Sequence, residues 1–104
     1  MSVTRTFTVT VVSTGSGNKY FIDGVQTPTL ELVEGATFRF DQSDSTNGTH
    51  PLRFATAADA SGGTQYTTNV TTNGTPGSSG AYTQIEVASS APTLYYYCTN
   101  HGGM

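Results

Sequence analysis

The chain opens with a strict alternation. Val3, Arg5, Phe7, Val9 and Val11 fall on one side of an extended backbone, and Thr4, Thr6, Thr8 and Thr10 fall on the other. A period of two predicts a strand with one buried face. Ser13 to Asn18 is rich in Ser and Gly and reads as a loop. Tyr20 to Ile22 predicts a short strand, closed by a turn at Asp23-Gly24. Leu30 and Leu32 alternate with Thr29 and Glu31, and Phe38 and Phe40 with Thr37 and Arg39; Glu34-Gly35 between them predicts two strands joined by a turn. Leu52 to Phe54 is a further short strand. Residues 55 to 80 show little periodicity: Ala57 to Ala60 suggest one helical turn, and residues 71 to 80 a long surface loop. Ala81 to Val87 and Thr93 to Cys98 predict the last strands, separated by Ser89 to Pro92. Seven or eight short strands with turn signals between them predict an all-β sandwich or barrel, with residues 1–104 as a single domain.

Composition sharpens this picture. The chain holds 20 Thr, 10 Ser and 12 Gly but only 11% charged residues, which favours strands and turns and excludes a helical bundle or coiled coil. Its 104 residues are enough to bury roughly two thirds of the unfolded surface around one core. No apolar run reaches the ~20 residues of a membrane-spanning helix. The first seven residues lack a basic region followed by an apolar stretch, so no secretory leader is read there. Four basic residues and a net charge of −3 leave no phosphate-binding footprint, and nucleic acid is not an expected partner.

One cysteine excludes an internal disulfide and leaves Cys98 as a core thiol, a reactive thiol or a metal ligand. The last seven residues, Cys98 to Met104, place a thiol, the imidazole of His101 and the thioether of Met104 in one tight turn. Soft sulfur with imidazole suits copper in a His2Cys site with a weak axial Met. The second histidine is His50, in the Gly/Asn-rich loop Asn47 to Pro51 just ahead of a strand. Zinc fits less well, because structural zinc takes Cys, His and carboxylate rather than thioether.

Cys98-x-x-His101-x-x-Met104 resembles the C-terminal ligand loop of the cupredoxins, the type I blue copper proteins, in its short, amicyanin-like length. Leu30-x-Leu32-x-x-Gly35-x-x-x-x-Phe40 is similar to the family's strand–turn–strand ahead of the first histidine, and Leu94 and Tyr96 match positions that are usually aromatic. The match runs over residues 20 to 104, apart from 55 to 80. The resemblance implies a Greek-key β-sandwich, one copper ion cycling between Cu(I) and Cu(II), His50, Cys98 and His101 as equatorial ligands and Met104 as the axial one. It also implies redox partner proteins rather than a small-molecule substrate, and no enzymatic turnover. Pro51 stands where the family commonly has a residue with a free N–H, which removes one donor to the thiolate and leaves the Asn100 N–H as the expected one. Pro92 replaces a common glycine.

Other features have simpler readings. Alternation turns Tyr96 toward the core with Cys98 and puts Tyr95 and Tyr97 on the outer face as surface contacts, with Tyr97 also a candidate for a second electron path. Asp41 and Asp44 form a carboxylate pair but read as turn formers. No nucleophile–base arrangement or phosphate loop is visible. Besides the electron carrier, two further classes are open: a structural sandwich module of a larger surface or virion protein, with copper structural or absent, and a copper storage or delivery protein.

Overall fold

A computed structural model describes residues 3–56 and 65–101. Among them are nine strands: β1 (Arg5–Thr14), β2 (Gly17–Ile22), β3 (Val25–Gln26), β4 (Thr37–Asp41), β5 (Leu52–Ala55), β6 (Gln65–Tyr66), β7 (Val70–Asn73), β8 (Tyr82–Glu86) and β9 (Tyr95–Cys98). They form two sheets, one of six strands in the order β3-β2-β1-β4-β8-β7 and one of three in the order β6-β5-β9. The all-β sandwich expected from the alternation is the architecture observed.

The strand β1 changes partner along its length. Arg5 to Thr8 run parallel to Phe38 to Asp41 of β4, and Val9 to Thr14 run antiparallel to β2. Where β4 leaves, β1 would show a bare edge, and a 3-10 turn at Ser45–Asn47 covers it. The Val11 N–H donates to Thr46 Oγ1 at 2.9 Å, and Asn47 Nδ2 donates to the Val9 carbonyl at 2.7 Å. Asp44 caps that turn by accepting from the Thr46 N–H at 2.9 Å, and Asp41 accepts from the Ser43 N–H at 2.8 Å. Both carboxylates are therefore turn formers, as their placement among Ser and Asp suggests.

The core lies between the sheets. Phe7, Val9, Tyr20, Ile22, Phe38, Phe40 and Ile85 come from the larger sheet, and Leu52, Phe54 and Cys98 from the smaller. Burying each of these large apolar side chains stabilises the fold by roughly 1.5–3 kcal/mol. Phe40 joins the layers: its ring stacks on Phe7 at 5.0 Å and meets Phe54 edge-on at 5.4 Å.

Several elements differ from the expectation. Ser13 to Asn18 is not a loop: β1 and β2 continue to Thr14 and Gly17 and turn on Gly15-Ser16, because ladder bonding is indifferent to which small polar side chains the strands carry. Leu30 and Leu32 lie in irregular chain without a ladder. That segment lines a groove of about 710 Å³ together with Ala91 to Tyr96, Phe40 and Phe54, and it is tied to the small sheet by Tyr96, whose hydroxyl donates to the Pro28 carbonyl at 2.5 Å. Residues 70 to 73, read within the surface loop from position 71, form β7 along β8. Tyr95 is exposed as expected, but Tyr97 is only 7% exposed: opposite Arg53 in the ladder, its hydroxyl donates to Gln65 Oε1 at 3.1 Å. The helical turn expected over Ala57 to Ala60 lies outside the described residues. No helix among the described residues is long and apolar enough to cross a membrane.

Candidate metal centre

The register of β5 against β9 sets the site. Leu52 lies opposite Cys98, so the chain entering β5 at His50 and Pro51 faces the chain leaving β9 at Thr99 and Asn100. Two bonds fasten these segments: Thr99 N–H to the Pro51 carbonyl at 3.3 Å, and Asn100 Nδ2 to the Thr49 carbonyl at 3.0 Å. Thr49 takes a left-handed backbone, φ 65°, that swings His50 inward. The His50 N–H closes the turn on the Asn47 carbonyl at 2.8 Å.

Cys98, 4% exposed, lies at the centre. Its Sγ is 3.7 Å from His50 Nδ1 and 3.6 Å from His101 Nδ1. The two imidazole rings are tilted at 44° with centroids 4.6 Å apart. His50 is 7% exposed and His101 is open to solvent. The side chain of Asn100, whose backbone N–H was the expected donor to the sulfur, donates to the Thr49 carbonyl. Met104, the expected axial donor, lies outside the described residues, as do Gly102 and Gly103.

The donor set fits a metal ion. One ligand atom from each of His50, Cys98 and His101 lies within 4.8 Å of the others. Metal–nitrogen bonds of about 2.0 Å and metal–thiolate bonds of about 2.3 Å imply sulfur–nitrogen separations of about 3.5 Å at tetrahedral and about 3.7 Å at trigonal angles. The observed 3.6 and 3.7 Å lie in that range. Without an ion the thiol has a single proton to give, so one imidazole can accept it while the other donates to the sulfur; a cation satisfies all three lone pairs together.

Electrostatics favour the ligating forms. Burial, then the adjacent His101, lowers the pKa of His50 from its ordinary 6.5, keeping its ring neutral and able to ligate at neutral pH. Tyr20, fully buried, donates its hydroxyl to the His50 carbonyl at 2.8 Å. Burial, reinforced by the neighbouring Cys98, raises the Tyr20 pKa far above its ordinary 10.0, so the phenol stays a donor. Tyr96 is pushed up to about 12 by burial. Sequence reasoning passed over Tyr20 except as a strand residue and gave no role to Gln42, whose side chain also reaches the His50 carbonyl.

Comparison of the chain with protein-family models, with curated proteins and with solved structures returns no match. The site therefore stands on its own geometry: a His–Cys–His group that can hold a metal ion at the end of a β-sandwich.

Proposed function

We propose that the protein is a small copper-binding electron carrier of the cupredoxin type, with His50, Cys98 and His101 as ligands and Met104 as the axial one. The observation that carries the reading is the trio itself: a buried thiol between two imidazoles, one enclosed and one facing solvent, at 3.7 and 3.6 Å. A copper ion held there supplies one-electron cycling between Cu(I) and Cu(II). The soft sulfur favours copper over the harder divalent ions. Cys98 and His50 keep their donor atoms away from bulk water, and His101 presents its ring edge toward a partner, with two glycines following it in the sequence. Such a carrier needs neither a catalytic base nor a substrate. Its partners are redox proteins, recognised through the surface around His101 with little long-range steering, because the chain carries few charges.

The test is an optical titration of the metal-free protein. Cu(II) is expected to raise an intense visible thiolate charge-transfer band at one ion per chain, which bleaches on reduction and returns on reoxidation. A colourless complex, or zinc binding that resists displacement by copper, would refute the electron-carrier reading and leave a structural metal site.

A further inference from the structure

His50 is gripped by a buried network of side chains outside the His50–Cys98–His101 group. Gln42 follows the end of β4 and is 1% exposed, and Asn47 is fully buried. Every hydrogen-bonding group of Gln42 is in use. Its N–H donates to the Ala81 carbonyl at 2.9 Å, and its carbonyl accepts from the Gly77 N–H at 2.8 Å. Its Nε2 donates to the His50 carbonyl at 2.8 Å and to Asn47 Oδ1 at 3.1 Å, while its Oε1 accepts from the Leu52 N–H at 3.0 Å. Nε2 faces only acceptors and Oε1 only a donor, so the amide has one orientation that satisfies all three bonds.

The contacts of that side chain to His50 and Leu52 flank Pro51. Proline offers no N–H and cannot continue a ladder. The Gln42 amide spans the gap, holding the carbonyl before the proline and the N–H after it as a neighbouring strand would. Asn47 extends the grip: its carbonyl takes the His50 N–H at 2.8 Å, and its Nδ2 is anchored on Val9 at 2.7 Å. Tyr20 adds the second donor to the His50 carbonyl. An apolar side chain in its place would leave the buried Leu52 N–H without its acceptor and take one of two side-chain donors from the His50 carbonyl. These bonds converge on the backbone of one residue, and that residue carries a candidate ligand.

We propose that Gln42 is a positioning residue of the metal centre, fixing the direction of His50 Nδ1 by bridging the peptide groups on either side of Pro51. This rests on the metal-site reading and adds that the enclosed half of the site is set before the ion arrives.

Two variants test it. Gln42→Met keeps the length and loses all three side-chain bonds; Gln42→Glu keeps the acceptor for the Leu52 N–H and loses both donors. Ile85→Val, in the core of the larger sheet, controls for stability loss alone. The first readout needs no metal: nuclear Overhauser contacts between the His50 and His101 rings. They are expected in the wild type and in Ile85→Val, and lost in Gln42→Met. The second is Cu(II) binding. Gln42→Met should bind about 10- to 100-fold more weakly, the usual cost of losing support behind a ligand, with a shifted charge-transfer band, and Gln42→Glu should fall between it and the wild type. Unchanged ring contacts in folded Gln42→Met, or an equal loss of affinity in Ile85→Val, overturns the positioning role. If Gln42→Met does not fold, Gln42→Glu carries both readouts. A wild type that binds no Cu(II) overturns the metal reading instead, and the ring contacts still decide the role of Gln42.

Discussion

His50 and His101 face the same sulfur at nearly equal distances, 3.7 and 3.6 Å, but are held in opposite ways. His50 is enclosed, its carbonyl doubly bonded by Tyr20 and Gln42 and its N–H by Asn47. His101 reaches the sulfur from three residues along the same chain, on an exposed turn fastened by Asn100 to Thr49. One side is fixed by tertiary structure and the other by local chain geometry. The contrast teaches that a site can combine a rigid wall, which sets the geometry, with an accessible edge, which meets the outside.

The largest effect should come from removing what the two sides share. Cys98→Ser is expected to abolish the charge-transfer band of the Cu(II) protein while circular dichroism still reports the β-fold, because the hydroxyl occupies the thiol's space but is no soft donor. Next, the two histidines can be set against each other. His101→Gly should lose copper affinity and regain it with added imidazole, which can enter an exposed gap. His50→Gly should lose affinity without rescue, because His50 is buried at 7% exposure. Equal rescue of both, read by the visible band, would erase the distinction between wall and edge.

A smaller effect tests how the wall is buttressed. Gly77 has φ +91°, and a Cβ there would lie 2.8 Å from the Gly48 nitrogen, in the turn leading to His50. Gly77→Ala should cost about 2–4 kcal/mol in urea unfolding, from the left-handed backbone and the forced contact together. It should also weaken metal binding, because Gly48 is displaced.

The smallest effect is the pH dependence of the metal-free protein. The fold holds the His50 pKa below 6.5, so below that pH the unfolded chain binds more protons than the folded one. This contribution is fully present above pH 6.5 and is lost as the pH falls through the lowered pKa. Urea midpoints should therefore fall on acidification, and His50→Gln should flatten the trend between pH 7.5 and 5.5.

The His–Cys–His group was legible because its residue types are scarce: one cysteine and two histidines, two of the three in a C-x-x-H turn on a β-rich chain. Their support was not. Gln42 sits between the alternating β4 and a Ser/Asp cluster, where a polar residue looks solvated; only the folded chain shows that β1 loses β4 as a partner at this point and that the turn must fill in behind it. Alternation misled at Leu30 and Leu32, since the pattern records which side chains seek burial and not whether a strand lies alongside to pair. The opposite error occurred at β7, where Val70 is the one apolar residue in an edge strand and the other three are exposed. Tyr97 was placed on the face away from Cys98 but expected at the surface; it is buried, and its hydroxyl meets Gln65, far away in sequence.

The sequence distances between the donors also order events in time. Cys98 and His101 are three residues apart and can meet in an unfolded chain, whereas His50 lies 48 residues from Cys98 and reaches it only when β5 has docked on β9. Sandwiches built from such distant pairings fold in milliseconds to seconds, far slower than an ion diffuses to a ligand. An ion present during refolding would therefore first meet the Cys98–His101 pair, and the third donor would arrive with the pairing of β5 and β9. Completion of the three-donor group would therefore report the pairing of β5 with β9 inside the smaller sheet, the step that brings His50 to Cys98.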